Sequence, residues 1–296
     1  MKVFISGGTG FVGNHVVDSL LEKGHMVTAL VRPGSENKLN SRDKVHIVLG
    51  DPGEPSDLIK GTQGCEAIIN LIGIIRAFPS RGITFERLHK GITEGIISAA
   101  KKNDISRILH MSALGAGPEA PTAYFRTKYT AEEILRRSDL DYTIFRPSLI
   151  FGRNGEAIKL FAGMTRKFLV PIIGNGKYRF NPINVTTVAN GFVKALRLRK
   201  SIGRILELGG PDEVTFDEIM DMIARVSGKT IFKIHIPALP LRLLTSIMQY
   251  IPGYPFSSDQ ITMLLKGSTC DSAPFYQLMG LTPISLEETI KEAICP

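Results

Sequence analysis

Lys2-Val3-Phe4-Ile5-Ser6-Gly7-Gly8-Thr9-Gly10-Phe11-Val12-Gly13-Asn14-His15-Val16-Val17-Asp18-Ser19-Leu20-Leu21 places an apolar run, a glycine-rich turn and an amphipathic segment in immediate succession. Val3–Ser6 reads as a buried strand. From Phe11 to Lys23, the residues Phe11, Val12, Val16, Val17, Leu20 and Leu21 recur at helical spacing, and Gly24 closes the run. Between the two, Gly7, Gly10 and Gly13 fall at every third position. Glycine there lets the backbone turn tightly and come close to a pyrophosphate, whose charge then sits on the helix N-terminus. The residues Gly7, Gly8, Thr9, Gly10, Phe11, Val12 and Gly13 are therefore the first candidates for holding a dinucleotide.

The alternation continues outward from this unit. Val27–Val31, Val45–Leu49, Ala67–Ile72, Arg107–Met111 and Tyr142–Phe145 read as strands, with helices over Phe85–Asn103 and Ala123–Arg137. Strands alternating with helices imply parallel pairing, hence an α/β, doubly wound parallel Rossmann sheet. After Gly152 the pattern loosens. Lys159–Arg166 has helical spacing, Pro171–Asn184 is a Gly/Pro-rich loop region, Val185–Leu198 is a helix and Arg204–Leu208 a strand. Beyond Pro211 the chain turns mostly helical, with an opening cap at Thr215 or Asp217, and Ile236–Phe256 is apolar, interrupted by prolines, with the single charge Arg242. The expected division is a nucleotide-binding domain of residues 1–152 plus 184–208 and a smaller, mostly helical substrate module of 153–183 plus 209–296.

Composition narrows the class. The chain has 296 residues, 43% of them hydrophobic and 22% charged, enough apolar material for a core and far from disordered or fibrous sequences. Its net charge of +8 favours anionic partners such as phosphorylated cofactors. Cys65, Cys270 and Cys295 are far apart and odd in number, which argues against a zinc site or disulfide framework and for a reducing compartment. The six histidines show no metal-ligand spacing, so no metal is expected, and His110 reads as a core or rim residue. The N-terminal apolar stretch is short for a signal peptide and no run reaches membrane-spanning length, so a cytoplasmic location is expected, with peripheral membrane contact as a lesser alternative. Lys101-Lys102, Arg136-Arg137 and Arg197–Lys200 are short basic clusters without interleaved aromatics, so nucleic acid is not expected as a partner.

The strand Val27–Val31 is followed by Arg32-Pro33, and no carboxylate appears until Glu36. An acid in this place would hold the ribose hydroxyls of NAD. Arg32 instead suits a ribose 2′-phosphate, which favours NADP with NAD as the alternative. The competing reading of Arg32 is a solvated turn arginine.

Together, Gly7–Gly13, Asp51, Asn70-Leu71-Ile72-Gly73, Arg146-Pro147-Ser148, Val185–Ala189 and Leu208–Pro211 resemble an extended short-chain dehydrogenase/reductase over nearly the whole chain. Met111–Ala116, Tyr124–Lys128, Ser258-Asp259-Gln260 and Leu286-Glu287-Glu288 are similar to its atypical branch, which contains the nucleotide-binding accessory subunit of mitochondrial complex I. The resemblance implies that Asp51 contacts the adenine and that Asn70, Leu71, Gly73 and Pro147 line the cofactor cleft. A turn residue before Pro52 is the other reading of Asp51.

The family's reactive pair is a Tyr and a Lys four residues on, a spacing that puts both on one helix face. Tyr124 and Lys128 have it. The resemblance implies that Tyr124 shuttles the proton and that Lys128 lowers its pKa and holds the nicotinamide ribose. A surface helix with a salt-bridging lysine is the bland alternative. The third member is a Ser or Thr at the end of the fifth strand, for which Ser112 is the candidate. Aligned by its apolar run, however, the strand puts Ala113 at the hydroxyl's place, and a one-residue shift turns a side chain to the other face. Either the strand end is irregular and Ser112 reaches the site, or the hydroxyl is missing.

Two functional expectations follow. One is an NADP-dependent oxidoreductase or epimerase acting on an unidentified small carbonyl or alcohol. The other is a non-catalytic NADP(H)-binding accessory or assembly protein with a protein-complex partner. A short amphipathic helix within Pro237–Pro252 could touch a membrane surface, against the alternative that it lines a cleft or packs on the sheet.

Overall fold

The computed structural model describes residues 1–249, 254 and 257–295. In chain order it begins with β1 (Lys2–Ser6), α1 (Phe11–Glu22), β2 (Met26–Val31), β3 (His46–Leu49), α2 (Pro55–Thr62), β4 (Ala67–Asn70), α3 (Ile92–Lys102), β5 (Arg107–Met111), α4 (Ala123–Arg136) and β6 (Asp141–Pro147). There follow β7 (Ile150–Phe151), α5 (Glu156–Met164), β8 (Leu169–Ile173), β9 (Arg179–Phe180), β10 (Ile183–Asn184), α6 (Val185–Ala195) and β11 (Arg204–Leu208). The remainder holds β12 (Val214–Thr215), α7 (Phe216–Val226), β13 (Phe232–Ile236), α8 (Ala238–Met248), α9 (Ser258–Lys266), α10 (Ala273–Met279) and α11 (Leu286–Ile294).

These elements form two compact units: Met1–Pro147 with Val185–Leu208 and Ala273–Thr282, and Ser148–Asn184 with Gly209–Ser272 and Pro283–Pro296. The first is built on a seven-stranded parallel sheet in the order β11-β6-β5-β4-β1-β2-β3. The order reverses between β1 and β4, the switch point at which doubly wound sheets bind ligands. Alternate residues go to opposite faces. Phe4, Ile68, Ile108 and Ile144 meet Leu58 of α2, Ile92 and Ile96 of α3 and Leu135 of α4 in one buried cluster. On the other face, Phe145 of β6 lies 4.1 Å, centroid to centroid, from Phe192 of α6.

The segment Ala273–Thr282, expected in the second module, belongs to the first unit. Phe275 is fully buried over Gly191, where a Cβ would come within 2.9 Å of its ring, and Lys194 Nζ donates to the Gly280 carbonyl. The helix α2 escapes a reading by periodicity, being eight residues long with Leu58 as its one large buried side chain. The helix expected from Phe85 opens with a π-helical turn at Glu86–Gly91 before α3 begins.

The second unit has its own core, in which Phe151, Phe161, Val170, Ile172, Phe180 and Phe216 are buried together. Thr215 caps α7, accepting from Glu218 N while Glu218 accepts from Thr215 N, a reciprocal capping box. The stretch 171–184, expected as loop, instead carries most of β8 and all of β9 and β10. These pair with β13, β12 and β7, partners up to some sixty residues away, which local sequence does not reveal. Pro240 falls in the first turn of α8, where a missing N–H is tolerated. The end of the Ile236–Phe256 stretch lies outside the described residues.

Candidate nucleotide site

Because the sheet is parallel, the turns after β1, β2, β3, β4, β5 and β6 all leave from the carboxyl ends of the strands, and the candidate residues lie in or beside these turns except Tyr124 and Lys128, which are on α4. Gly7 has φ +80°, and a Cβ there would lie 3.0 Å from the Leu71 backbone, so the turns after β1 and β4 touch across the switch point. Gly13 has no room for any side chain: its Cβ would stand 2.1 Å from Gly7 O and 2.7 Å from Gly8 O. Gly10 caps α1 without a side-chain hydrogen bond, and the first turn carries no acid. The helix thus presents backbone N–H groups and its positive dipole end to the turn, which fits a diphosphate. Thr9, Phe11 and Val12 complete the turn, Val12 being buried and Phe11 partly so.

Arg32 is exposed directly after β2 and makes no ion pair among the described residues. Asp51 is engaged locally: its Oδ1 accepts from Gly53 N at 2.7 Å and its Oδ2 lies 3.9 Å from the Arg87 guanidinium. That is the geometry of a turn-stabilising aspartate, with one oxygen still facing outward contacts.

Across the centre of the sheet, Ser6, Asn70 and His110 stand in register on β1, β4 and β5. Ser6 Oγ donates to Asn70 Oδ1 at 2.9 Å, and the same oxygen accepts from Ile72 N. The Asn70 amide nitrogen therefore faces His110 and donates to its Nδ1 at 3.2 Å. This leaves the proton on His110 Nε2, which is buried without a partner. Burial, with the nearby Lys128 charge, pushes the His110 pKa down to about 3.

Lys128 is the largest charged side chain among the fully enclosed ones. Its Nζ donates to Met111 O at 2.9 Å and Ile72 O at 3.4 Å, and burial lowers its pKa to about 8, against the opposing pull of Glu132. Glu132 is buried too and receives both a 2.9 Å and a 2.6 Å bond from Arg146. His89 packs beside Lys128. Ile74 N donates to its Nε2 and its Nδ1–H donates to Thr127 Oγ1, whose own proton goes to Ala123 O. Burial first, then Lys128, push the His89 pKa to about 2. Tyr124 is partly buried, its ring in edge contact with Phe85, His89 and Phe125, and burial pushes its phenol up to about 12.

The fifth strand ends at Met111, but its hydrogen-bond rhythm continues past the doubtful position. Ser112 N donates to Phe145 O and Leu114 N to Pro147 O, the two-residue rhythm of a parallel ladder. Ser112 therefore shares the face of His110, and its hydroxyl is buried without a hydrogen-bond partner. Sequence reading names Tyr124 and Lys128 as candidates but gives no site role to His89, Thr127, Glu132 or Arg146, which are built around Lys128 through contacts with it or with one another. Glu132 is one further helical turn along α4, and that spacing was the available signal. Among the described residues, no three His, Cys, Asp or Glu side chains converge as metal ligands. A cavity of about 430 Å³ lined by Gly174, Asn175, Lys177, Tyr178 and Leu265 belongs wholly to the second unit.

Residues 7–166, more than half of the chain, match the family described as NAD(P)H-binding, and the chain belongs to that family. It is 28% identical to NADH dehydrogenase (ubiquinone) 1 alpha subcomplex subunit 9, mitochondrial, of Arabidopsis thaliana, over 96% of this chain and 74% of that one. It is 25% identical to the photosystem II assembly factor Ycf39 of a Synechocystis species, over 99% and 90% of the respective chains. Its fold matches UDP-glucose 4-epimerase of Thermotoga maritima, solved with UDP-glucose, at a TM-score of 0.78 and 20% identity, covering 99% of this chain and 97% of that one. The chain is thus an NAD(P)-binding protein with an extended short-chain dehydrogenase/reductase fold.

Proposed function

We propose that the chain is an NADP(H)-binding accessory or assembly protein, in which the dinucleotide serves to fix the first unit and its binding to a larger protein complex. The observation that carries this reading is Ser112. Its hydroxyl is buried without a partner, and the ladder rhythm that the bonds from Ser112 N to Phe145 O and from Leu114 N to Pro147 O carry past the end of β5 turns the methyl group of Ala113 to the opposite face. A site without a hydroxyl to polarise a carbonyl lacks one of the groups that proton and hydride transfer need. The Tyr124 phenol, pushed up to about 12, is also far from the value that suits proton transfer near neutral pH. Two relatives named as a complex subunit and an assembly factor favour the same reading. Arg32, exposed and without an ion pair among the described residues, favours NADP over NAD.

A second reading, an oxidoreductase or epimerase with Tyr124 as acid/base and Lys128 as the ribose ligand, is favoured by the close enclosure of Lys128 beneath Gly73. In that reading the nicotinamide would accept or supply the hydride, and Lys128, Asn70 and the glycine turn would position it.

The test is a titration with NADPH and with NADH, followed by the reduced nicotinamide's own emission in a chain with no tryptophan. A panel of carbonyls and nucleotide sugars is then offered to the wild type and to Tyr124→Phe. Tighter binding of NADPH with no turnover is expected. Turnover that Tyr124→Phe abolishes would establish the second reading, and failure to bind either nucleotide would remove both.

A further inference from the structure

The second unit carries an apolar surface that its own fold leaves uncovered. The ribbon β8–β13 pairs Phe232 with Leu169, Ile234 with Pro171 and Ile236 with Ile173. Its inner face is accounted for: Val170 and Ile172 are buried in the core, Lys233 pairs with Asp221 of α7 and His235 with Asp217. The opposite face of the same ribbon is apolar, yet Phe232, Ile234, Ile236 and Leu169 are exposed. A ribbon with one wet face ordinarily makes that face polar. One residue, Pro237, then joins β13 to α8, on which Leu239, Leu243 and Ile247 recur every fourth position and are 69%, 61% and 73% exposed. The helix is held from its other side, where Thr245 is fully buried and shares a 2.9 Å hydrogen bond with the Tyr254 hydroxyl. An uncovered apolar strand face leading into an uncovered apolar helix face is more than the scattered exposure of an ordinary monomer surface.

The two segments that supply it carry charges of one sign. Residues 157–184, which supply β8, contain five Lys or Arg and no Asp or Glu; residues 227–258, which supply β13 and α8, contain three and none. Arg166, Lys167, Lys229 and Arg242 are exposed. Apolar side chains carried on segments whose own charges are all cationic are complementary to a surface with an anionic skin over a hydrocarbon interior. A protein partner's groove would match the apolar part equally well, but it gives no reason for the absence of every carboxylate from both segments.

We infer that the outer face of the β8–β13 ribbon and helix α8 form a docking surface for an anionic phospholipid bilayer, with Leu239, Leu243 and Ile247 entering the headgroup boundary and Arg166, Lys167 and Arg242 meeting phosphates. Among the described residues no helix is long and apolar enough to cross a membrane, so the contact is made from one side by these helices and strands. This surface stands independently of the nucleotide reading, since it lies in the second unit alone.

The full chain is mixed with sedimentable vesicles of phosphatidylcholine, or of phosphatidylcholine with about one phosphatidylserine in three lipids, and the unbound protein is measured at low and high salt. Partitioning onto the anionic vesicles is expected to exceed that onto neutral ones by about tenfold or more. The double variant L243E/I247E, and separately R166E/K167E, is expected to lose at least about tenfold of it, with an unchanged melting temperature because all four side chains are exposed. Absent or lipid-indifferent binding of the wild type overturns the proposal. Undiminished binding of L243E/I247E also overturns it, by assigning the attraction to net charge elsewhere. A lipid-free wild-type dimer that L243E/I247E converts to monomer would overturn it in favour of a second copy as the occupant. NADPH titration of the same samples reads the nucleotide site separately, so either idea can fail without the other.

Discussion

The absent side chain of Gly73 and the ammonium of Lys128 occupy one space: a Cβ at position 73 would lie 2.8 Å from Lys128 Nζ and 3.3 Å from its Cε. Gly73→Ala is therefore expected to displace the lysine from the Met111 carbonyl and to destabilise the protein by about 1–3 kcal/mol, the usual range for overpacking. Urea unfolding of Gly73→Ala, Lys128→Met and the double variant measures the coupling. The double variant should lose less than the sum of the singles, and simple additivity would mean that the two positions do not compete.

Arg32 should decide the choice of nucleotide. A charge-assisted contact to a 2′-phosphate contributes about 1.5–3 kcal/mol, so Arg32→Ala is expected to weaken NADPH roughly 10- to 100-fold and to leave NADH nearly unchanged. Parallel titrations check it. Equal loss for both nucleotides would place Arg32 outside the phosphate site.

Two neutral histidines make the fold acid-sensitive. Free of the fold, His89 and His110 take up a proton near pH 6.5; within it they stay neutral down to about 2 and about 3. Below pH 6.5 the unfolded state therefore binds more protons, and stability falls with pH by up to about 1.4 kcal/mol per unit for each histidine. Lys128 acts in the alkaline range. With a folded value of about 8 against an ordinary 10.5, it makes the protein more stable as pH rises between those values. Urea midpoints across both windows measure these slopes, and a flat acid limb would contradict the neutral state of the two histidines.

The Arg146–Glu132 pair is doubly hydrogen-bonded, and its carboxylate is fully buried. Arg146→Met should cost about 3–5 kcal/mol because it leaves an uncompensated charge inside, and Arg146→Met with Glu132→Leu should recover much of the loss. Thermal denaturation of the two variants distinguishes a true pair from two independent packing sites.

What the sequence made legible was local. The strand–turn–helix at Gly7–Gly13 could be read because the glycines, the apolar run and the helical spacing are adjacent in the chain, and Arg107–Met111 and Arg204–Leu208 could be bounded to the residue because both are short strands set off by polar turns. Most of the shell around Lys128 was not legible, because His89, Arg146 and Met111 come from three elements other than α4 and meet it only in space. The same reason hid β8, β9 and β10. Asp51 reads in the sequence either as a ligand contact or as a turn residue, and its hydrogen bond from Gly53 N and its ion pair with Arg87 come from the local fold, which the chain order alone does not specify.

The path of the chain between its two units bears on how the protein is made. It passes from one unit to the other five times, at residues 147/148, 184/185, 208/209, 272/273 and 282/283. Neither unit is a continuous stretch, so neither can be cut out as a simple fragment. During translation the first 147 residues leave the ribosome long before α6, which covers Phe145 on one face of their sheet, and β11, which completes its edge, and longer still before Phe275, which packs on α6 at Gly191. Until the last of these has emerged, the side of α6 at Gly191 stands uncovered, and a ribosome-associated chaperone has a defined apolar surface to shield.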